Sequence, residues 1–253
     1  EAGSTMTNEI AQQIADYTLS KYGYDVGSYG PQDIQTQNNK FLGKIDWNIN
    51  DKHQFTLRYN YIDAFDDNLS RSANFFRFGN NAYKFTNKQS SLVAELRSNF
   101  NSSFSNNLIL GYSSIKDSRD TAGSPFPQIT ILNIGGVSGA SAEFGSQRSS
   151  FANELDQTIF EVTDNFKWNI GKNTFTLGTH NEFFSFRNLF INNLNGRWDF
   201  NSVADYLNNV PARVRATYSL IPGESRPEAK FSAAQLGFYA QGESEVFKNF
   251  RLT

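Results

Sequence analysis

Two histidines and a scatter of carboxylates are the residues of this sequence that could do chemistry. His180 stands two residues from Glu182, a spacing that puts both side chains on one face of an extended strand. An imidazole beside a carboxylate can carry a proton or begin a metal site. No third ligand stands at a zinc-like spacing, so the pair reads as part of a hydrogen-bond network. His53 opens a strand directly after a turn and is expected in solvent. Asp63, Asp66 and Asp67 cluster in YIDAFDDN. Their spacing is not that of an EF-hand calcium loop, and a solvated acidic tip is expected. Gly135, Gly136 and Gly139 have no helix N-terminus beside them to complete a phosphate site. The sequence contains no G-x-S-x-G, no Walker loop and no cysteine. No catalytic residue, metal ligand or cofactor is therefore expected, and the protein is not read as an enzyme.

The elements that hold these residues alternate with period two. In Phe160–Arg187, Phe160, Val162, Phe166, Trp168 and Ile170 share a face of one arm. Phe175, Leu177, Thr179 and Phe183 share a face of the next. A two-residue turn at Lys172-Asn173 would set Ile170 against Phe175, Trp168 against Leu177 and Asp164 against Asn181. Upstream, Lys40–Ile49 and His53–Asp63 form a hairpin that sets Trp47 against Phe55 and brings Asp46 within reach of Arg58. Further strands are predicted over about Lys88–Phe100, Asn107–Asp117 and Phe231–Phe247. Short helices are predicted in the first 38 residues, capped by Thr7 or Asn8, and at Ser202–Val210 before Pro211.

Short turns (50–52, 101–106, 172–173, 248–249) alternate with long segments (1–38, 64–87, 118–155, 188–230). Long strands with one uncharged aromatic face and loops of strictly unequal length are the pattern of a transmembrane β-barrel. No run of 18 apolar residues occurs, so no transmembrane helix is expected, and a mean hydropathy of −0.52 does not argue against a barrel. A net charge of −2 gives no pull toward nucleic acid. The expected fold is all-β, with residues 1–253 forming part of one large antiparallel barrel: seven complete strands and the start of an eighth. Such a set does not close, and both ends are expected to be cut from a longer protein. Trp47, Phe55, Phe100, Trp168 and Phe175 beside the short turns are the expected periplasmic girdle. Asp164 is the exception on the lipid face.

Three motifs point to a family. The run GKNTFTLGTHNEFFSFRNLFI resembles the G-K-x-x-F-x-x-G hairpin of TonB-dependent outer-membrane receptors. DFNSVADYLNNVPARVRATYSL resembles their loop helix, and Gln235–Gln241 their Q-x-G-x-Y-x-Q strand, with Gly242-Glu243 departing from the usual Asp. YGYDVGSYGPQDIQTQNNKFLGKIDWNINDKHQFTLRYNYIDA and LILGYSSIKDSRD resemble the Oar-like receptors of Bacteroidetes. The resemblance implies import across the bacterial outer membrane, powered by TonB through a plug inside a 22-stranded barrel. Neither a plug nor a TonB box is recognisable in these residues. Implied partners are outer-membrane lipid, the plug domain of the same protein, the TonB complex through a region outside this chain, and a surface lipoprotein or other protein on the loops. A barrel that binds protein on its loops without importing anything is the alternative.

The positions facing away from lipid are Lys44, Asp46, Arg58, Asn60, Glu95, Arg97, His180, Glu182, Gln235 and Gln241, which would line the lumen and hold the plug. Phe75, Phe76, Phe78, Phe126, Phe144, Trp198 and Tyr206 lie in the long segments and are the candidates for ligand or partner contact, the alternative being that they pack the loops together. A closed barrel resists detergent until heated. The intact protein is expected to require detergent and to change its gel mobility on boiling; solubility without detergent and an unshifted band would remove the barrel reading.

Overall fold

The computed structural model describes residues 4–253. In chain order the elements are α1 (Asn8–Tyr22), β1 (Thr36–Asn50), β2 (His53–Asn68), β3 (Phe75–Arg77), β4 (Tyr83–Asn99), β5 (Phe104–Thr121), β6 (Gln128–Leu132) and β7 (Ser141–Phe144). They continue with β8 (Asn153–Ile170), β9 (Asn173–Phe190), β10 (Arg197–Phe200), α2 (Val203–Leu207), β11 (Arg213–Arg215), β12 (Ala229–Phe247) and β13 (Phe250–Leu252). The long strands form one antiparallel meander in the order β1-β2-β4-β5-β8-β9-β12-β13, the wall.

Each wall strand before β13 runs 15 to 19 residues, longer than the sequence pattern predicts. Most of the added residues lie on the long-loop side, where alternation fades because both faces are wet; β5 also gains Phe104–Asn106 beside its tight turn. About 9–11 residues cross a bilayer when tilted, so every strand projects beyond the lipid. A single line of direct cross-strand partners marks the exit: Asn39, Asp63, Lys88, Lys116, Asp156, Arg187 and Lys230. Below that line the same face turns apolar, as in Phe160, Val162, Phe166, Trp168 and Ile170 of β8. From Phe160 to Ile170 the strand rises about 25 Å at about 3.3 Å per residue and a tilt of about 40°. That equals the apolar height of an outer-membrane barrel.

The tight turns lie at the other end. Asn50 Oδ1 accepts the amides of Lys52 and His53, and Asn101 Oδ1 those of Ser103 and Phe104. Gly171, at φ 58°, supplies the left-handed step of the β8–β9 turn. This puts the turn at Gly171-Lys172 rather than Lys172-Asn173, and the register shifts by two. Trp168 pairs with Phe175, Phe166 with Leu177, and Asp164 with Thr179 instead of Asn181. Trp47 does pair with Phe55, after a bulge at Asn48–Asn50. Near Trp168, Phe104 stacks at 6.0 Å and Phe175 lies tilted at 6.2 Å, so Phe104 joins the girdle. His53 is half-buried rather than free in solvent, with Nδ1 2.9 Å from Ser98 Oγ.

The long segments are not irregular. They fold over the wall's far end into a cap with a second sheet, ordered β11-β10-β6-β7-β3, in which β10–β6 and β3–β7 are parallel. The cap holds the main hydrophobic core among the described residues: Ile14 of α1, Phe78, Ile131, Ile134, Phe144, Phe200 and Tyr206, all essentially buried. Each such side chain contributes roughly 1.5–3 kcal/mol on burial. Thr7 Oγ1 caps α1, and Ser202 Oγ caps α2, which is shorter than predicted because Asn209 turns left-handed at φ 55°. Thr18 Oγ1 and Tyr206 Oη, 2.6 Å apart, tie the two helices together.

Backbone crosses backbone closely inside the cap. Gly145 has φ 82°, and a Cβ there would stand 2.1 Å from the Pro127 carbonyl oxygen. Gly145→Ala is expected to cost the cap more than about 2 kcal/mol. Hydrogen exchange would show it as faster exchange over residues 126–146 with β8 and β9 unchanged.

Candidate lumen face and loop cap

All ten sequence-predicted lumen positions lie on one face of the wall. The register sets Lys44 opposite Arg58, Glu95 opposite Thr56 opposite Asp46, Arg97 opposite Gln54, and Gln235 opposite Glu182. Asn60 lies between Leu42 and Ser91, and Gln241 pairs with Thr176. Asp46 does not take Arg58. Lys44, two residues away on the same strand, reaches it at 2.8 Å, and Thr56 donates to it at 2.7 Å. Arg97 likewise pairs within its own strand, with Glu95 at 2.7 Å.

His180 sits between two carboxylates, Glu161 at 3.7 Å and Glu182 at 3.8 Å, and Thr163 Oγ1 lies 2.7 Å from its Nδ1. Glu161 and Glu182 are direct cross-strand partners. Among the described residues no group of three or more His, Asp or Glu side chains is placed to hold a metal ion. Pleating separates the three aspartates of YIDAFDDN. Asp63 and Asp67 face outward toward Lys88 and Lys84, at 4.0 and 3.6 Å, while Asp66 faces inward and accepts from Thr36.

The face carries residues that the sequence reading passed over. Glu161, Thr163, Asn165 and Lys167 of β8 alternate with the outward aromatics, and parity alone could have found them. Tyr239 needed the fold. Its ring lies flat on Gly178, where a Cβ would meet the ring at 2.1 Å, and its hydroxyl donates to Asn165 across two strands. The glycine of one motif is thus the seat of the tyrosine of another. Beside Tyr239 a depression of about 380 Å³ is lined by Asn107, Lys167, Thr176, Gln241 and Glu243.

Toward the cap the same face changes character. Ile115, Ile159, Phe184, Phe186 and Phe231 replace the polar residues. Phe186 stacks on Phe231 at 4.9 Å and on Phe184 at 5.9 Å. The lumen face is polar near the tight turns and aromatic near the cap.

The loop aromatics pack the loops together. Phe78, Phe144 and Tyr206 are buried in the cap core, joined by edge contacts at 5.9 and 5.6 Å, and no ligand reaches them from outside. Phe76, Phe126 and Trp198 pack against that core. Phe75 is half-buried under Arg77. Sequence marks these residues as aromatics in loops, but only the fold shows that the loops have an inside. Two carboxylates complete it. Asp199 is held by Arg197, Arg215 and Arg213 at 2.6, 2.9 and 3.3 Å, and Glu143 by Gln128, Thr130 and Arg77.

An outer membrane beta barrel domain model matches residues 3–253. The chain belongs to this family. Its wall is outer-membrane wall, the apolar face meets lipid, and the open eight-stranded sheet is part of a barrel. The outer membrane transporter YddB from Escherichia coli is similar in fold, with a TM-score of 0.51 at 12% identity. The match covers 83% of this chain and 25% of the transporter, so the chain corresponds to about a quarter of that structure. No curated protein matches it in sequence.

Above the lipid, one arginine ties a loop to the barrel domain. Arg187 pairs with Glu154 at 2.8 Å, with Asp156 at 3.1 Å and with Glu228, at the end of the loop before β12. Arg187, and then Lys230, hold the Glu228 carboxyl down from 4.5 to about 2. A depressed carboxylate stabilises the folded form above its ordinary pKa, and that contribution is lost as pH falls toward the lower value. The loop end is expected to stay protected down to about pH 4.5 and to loosen toward pH 2. Glu228→Gln should loosen it already at neutral pH, with the difference from wild type vanishing by about pH 2; hydrogen exchange over residues 222–230 reads both.

Proposed function

We propose that the protein is a TonB-dependent active transporter of the outer membrane, of the Oar-like kind. In this reading the wall supplies part of a 22-stranded barrel, and the cap supplies surface for a ligand or partner. Transport, not catalysis, is the proposed activity.

One observation carries the reading. The lumen face is a continuous row of charged and amide side chains, with Lys44 opposite Arg58, Asp46 in line with Glu95, and Glu182 opposite Glu161 and Gln235. A small barrel fills its interior with side chains from its own wall. A face built this way wants a second body inside, and a plug held by charged hydrogen bonds meets that need. The aromatic zone beneath the cap would receive the apolar part of an incoming ligand before the plug moves. The fold likeness to an outer membrane transporter supports the same reading.

The cap favours a second one. Loops with their own sheet and core form a fixed surface suited to binding another protein, and a barrel serving as such a platform needs no import. Coupling separates the two. The intact protein is expected to carry a plug and a TonB box, and cysteine trapping in living cells should link that box to TonB. A protein that binds a partner on its surface yet gives no TonB adduct would be a platform.

A further inference from the structure

The lipid face carries one polar island in the middle of its apolar band. Asp164 lies at the centre of the β8 run, with Phe160 and Val162 above it and Phe166 and Trp168 below. Its direct partners are Leu108 and Thr179. Asn106, one register step below, donates Nδ2 to Asp164 Oδ1 at 2.7 Å. Asn181 donates to Thr179 Oγ1 at 2.6 Å, and that hydroxyl donates to the Gly237 carbonyl at 2.9 Å. Three adjacent strands therefore place four polar side chains together at mid-depth.

Hydrogen bonding in the island is incomplete. Among the described residues Asp164 Oδ2 accepts no hydrogen bond, and Asn181 Oδ1 is buried with no partner. Of the unmet groups, Asp164 Oδ2 belongs to a carboxylate on the lipid face. Hydrocarbon offers no donor, and a polar group left unpaired there costs several kcal/mol. A second copy of this chain would bring a second carboxylate to the same place, where like charges repel. The complement is a donor.

We infer that the Asp164 island is a docking site for another membrane-embedded protein, one that presents a cationic or amide side chain at mid-membrane depth. The partner lies against β5, β8 and β9 from the lipid side. Its donor fills Asp164 Oδ2, and the apolar residues around the island seal the contact from water, as the surroundings of a buried hot spot do. The site does not depend on whether the barrel imports anything.

A photoreactive residue at Leu236, the direct partner of Asn181, tests this in the intact protein within its own outer membrane. Ile45 is the control: it lies on the same register line and face, at the far side of the wall, and is equally exposed (64% against 63%). Leu236 is expected to give a protein adduct at least tenfold above Ile45. Mass spectrometry should map that adduct to a membrane-spanning segment with a Lys, Arg, Asn or Gln at the junction. Asp164→Leu should lower the yield at least tenfold while the barrel keeps its heat-shifted mobility. If that variant fails the mobility control, the isosteric Asp164→Asn is read in its place, with at least a threefold drop expected. Adducts to lipid alone, to a second copy of the chain or to a soluble protein would each overturn the inference, and so would a yield indifferent to residue 164.

Discussion

Inside hydrocarbon a main-chain amide has no partner except another main-chain group. The wall of this protein is the answer to that condition. Its long strands pair residue for residue from the tight turns to the cap, with bulges only beside two turns. Once the ladder is continuous, pleating divides every strand between two solvents. The apolar face, the polar lumen face and the charged line from Asp63 to Lys230 all follow from that division. The glycines follow too. Gly178 exists so that Tyr239 can lie across the ladder without breaking it.

Beyond the lipid the rule changes, and so does the architecture. Water can satisfy loose backbone there, yet the long segments still bury their apolar residues together. Among the described residues parallel pairs, β10 with β6 and β3 with β7, occur only in the cap. Asp199 among three arginines shows the usual condition for burying a charge: it is paired several times over. The island at Asp164 lacks that completion on its lipid side.

The wall can be read from sequence because period-two alternation survives wherever one side is lipid. It fades where both sides are wet, which is why the predicted strands stop short: Asp66, Asp67 and Asn68 look like loop but continue β2. The lumen residues follow from parity, while their partners do not, since Lys44 competes with Arg58 for Asp46 and only geometry decides. The β8–β9 register turned on which residue takes the left-handed step, Gly171 or Asn173. The cap sheet was out of reach. Its strands are three to five residues long, and the parallel pairs that join them, β10 with β6 and β3 with β7, bring together different loops. The apolar run QITILNIG is conspicuous, but nothing local shows that Phe200 and Phe144 will meet it.

The composition of the cap sets an order of assembly. β3, β6–β7 and β10–β11 come from three separate loops, and α1 from the segment before β1. None can complete the shared core alone, because each supplies only part of it. Contacts this distant in sequence pay their closure entropy before any burial repays it. The wall hairpins are local and can form first. The core closes only after all four segments have crossed to the outer side, so an ordered cap signals that insertion of this part of the barrel is finished.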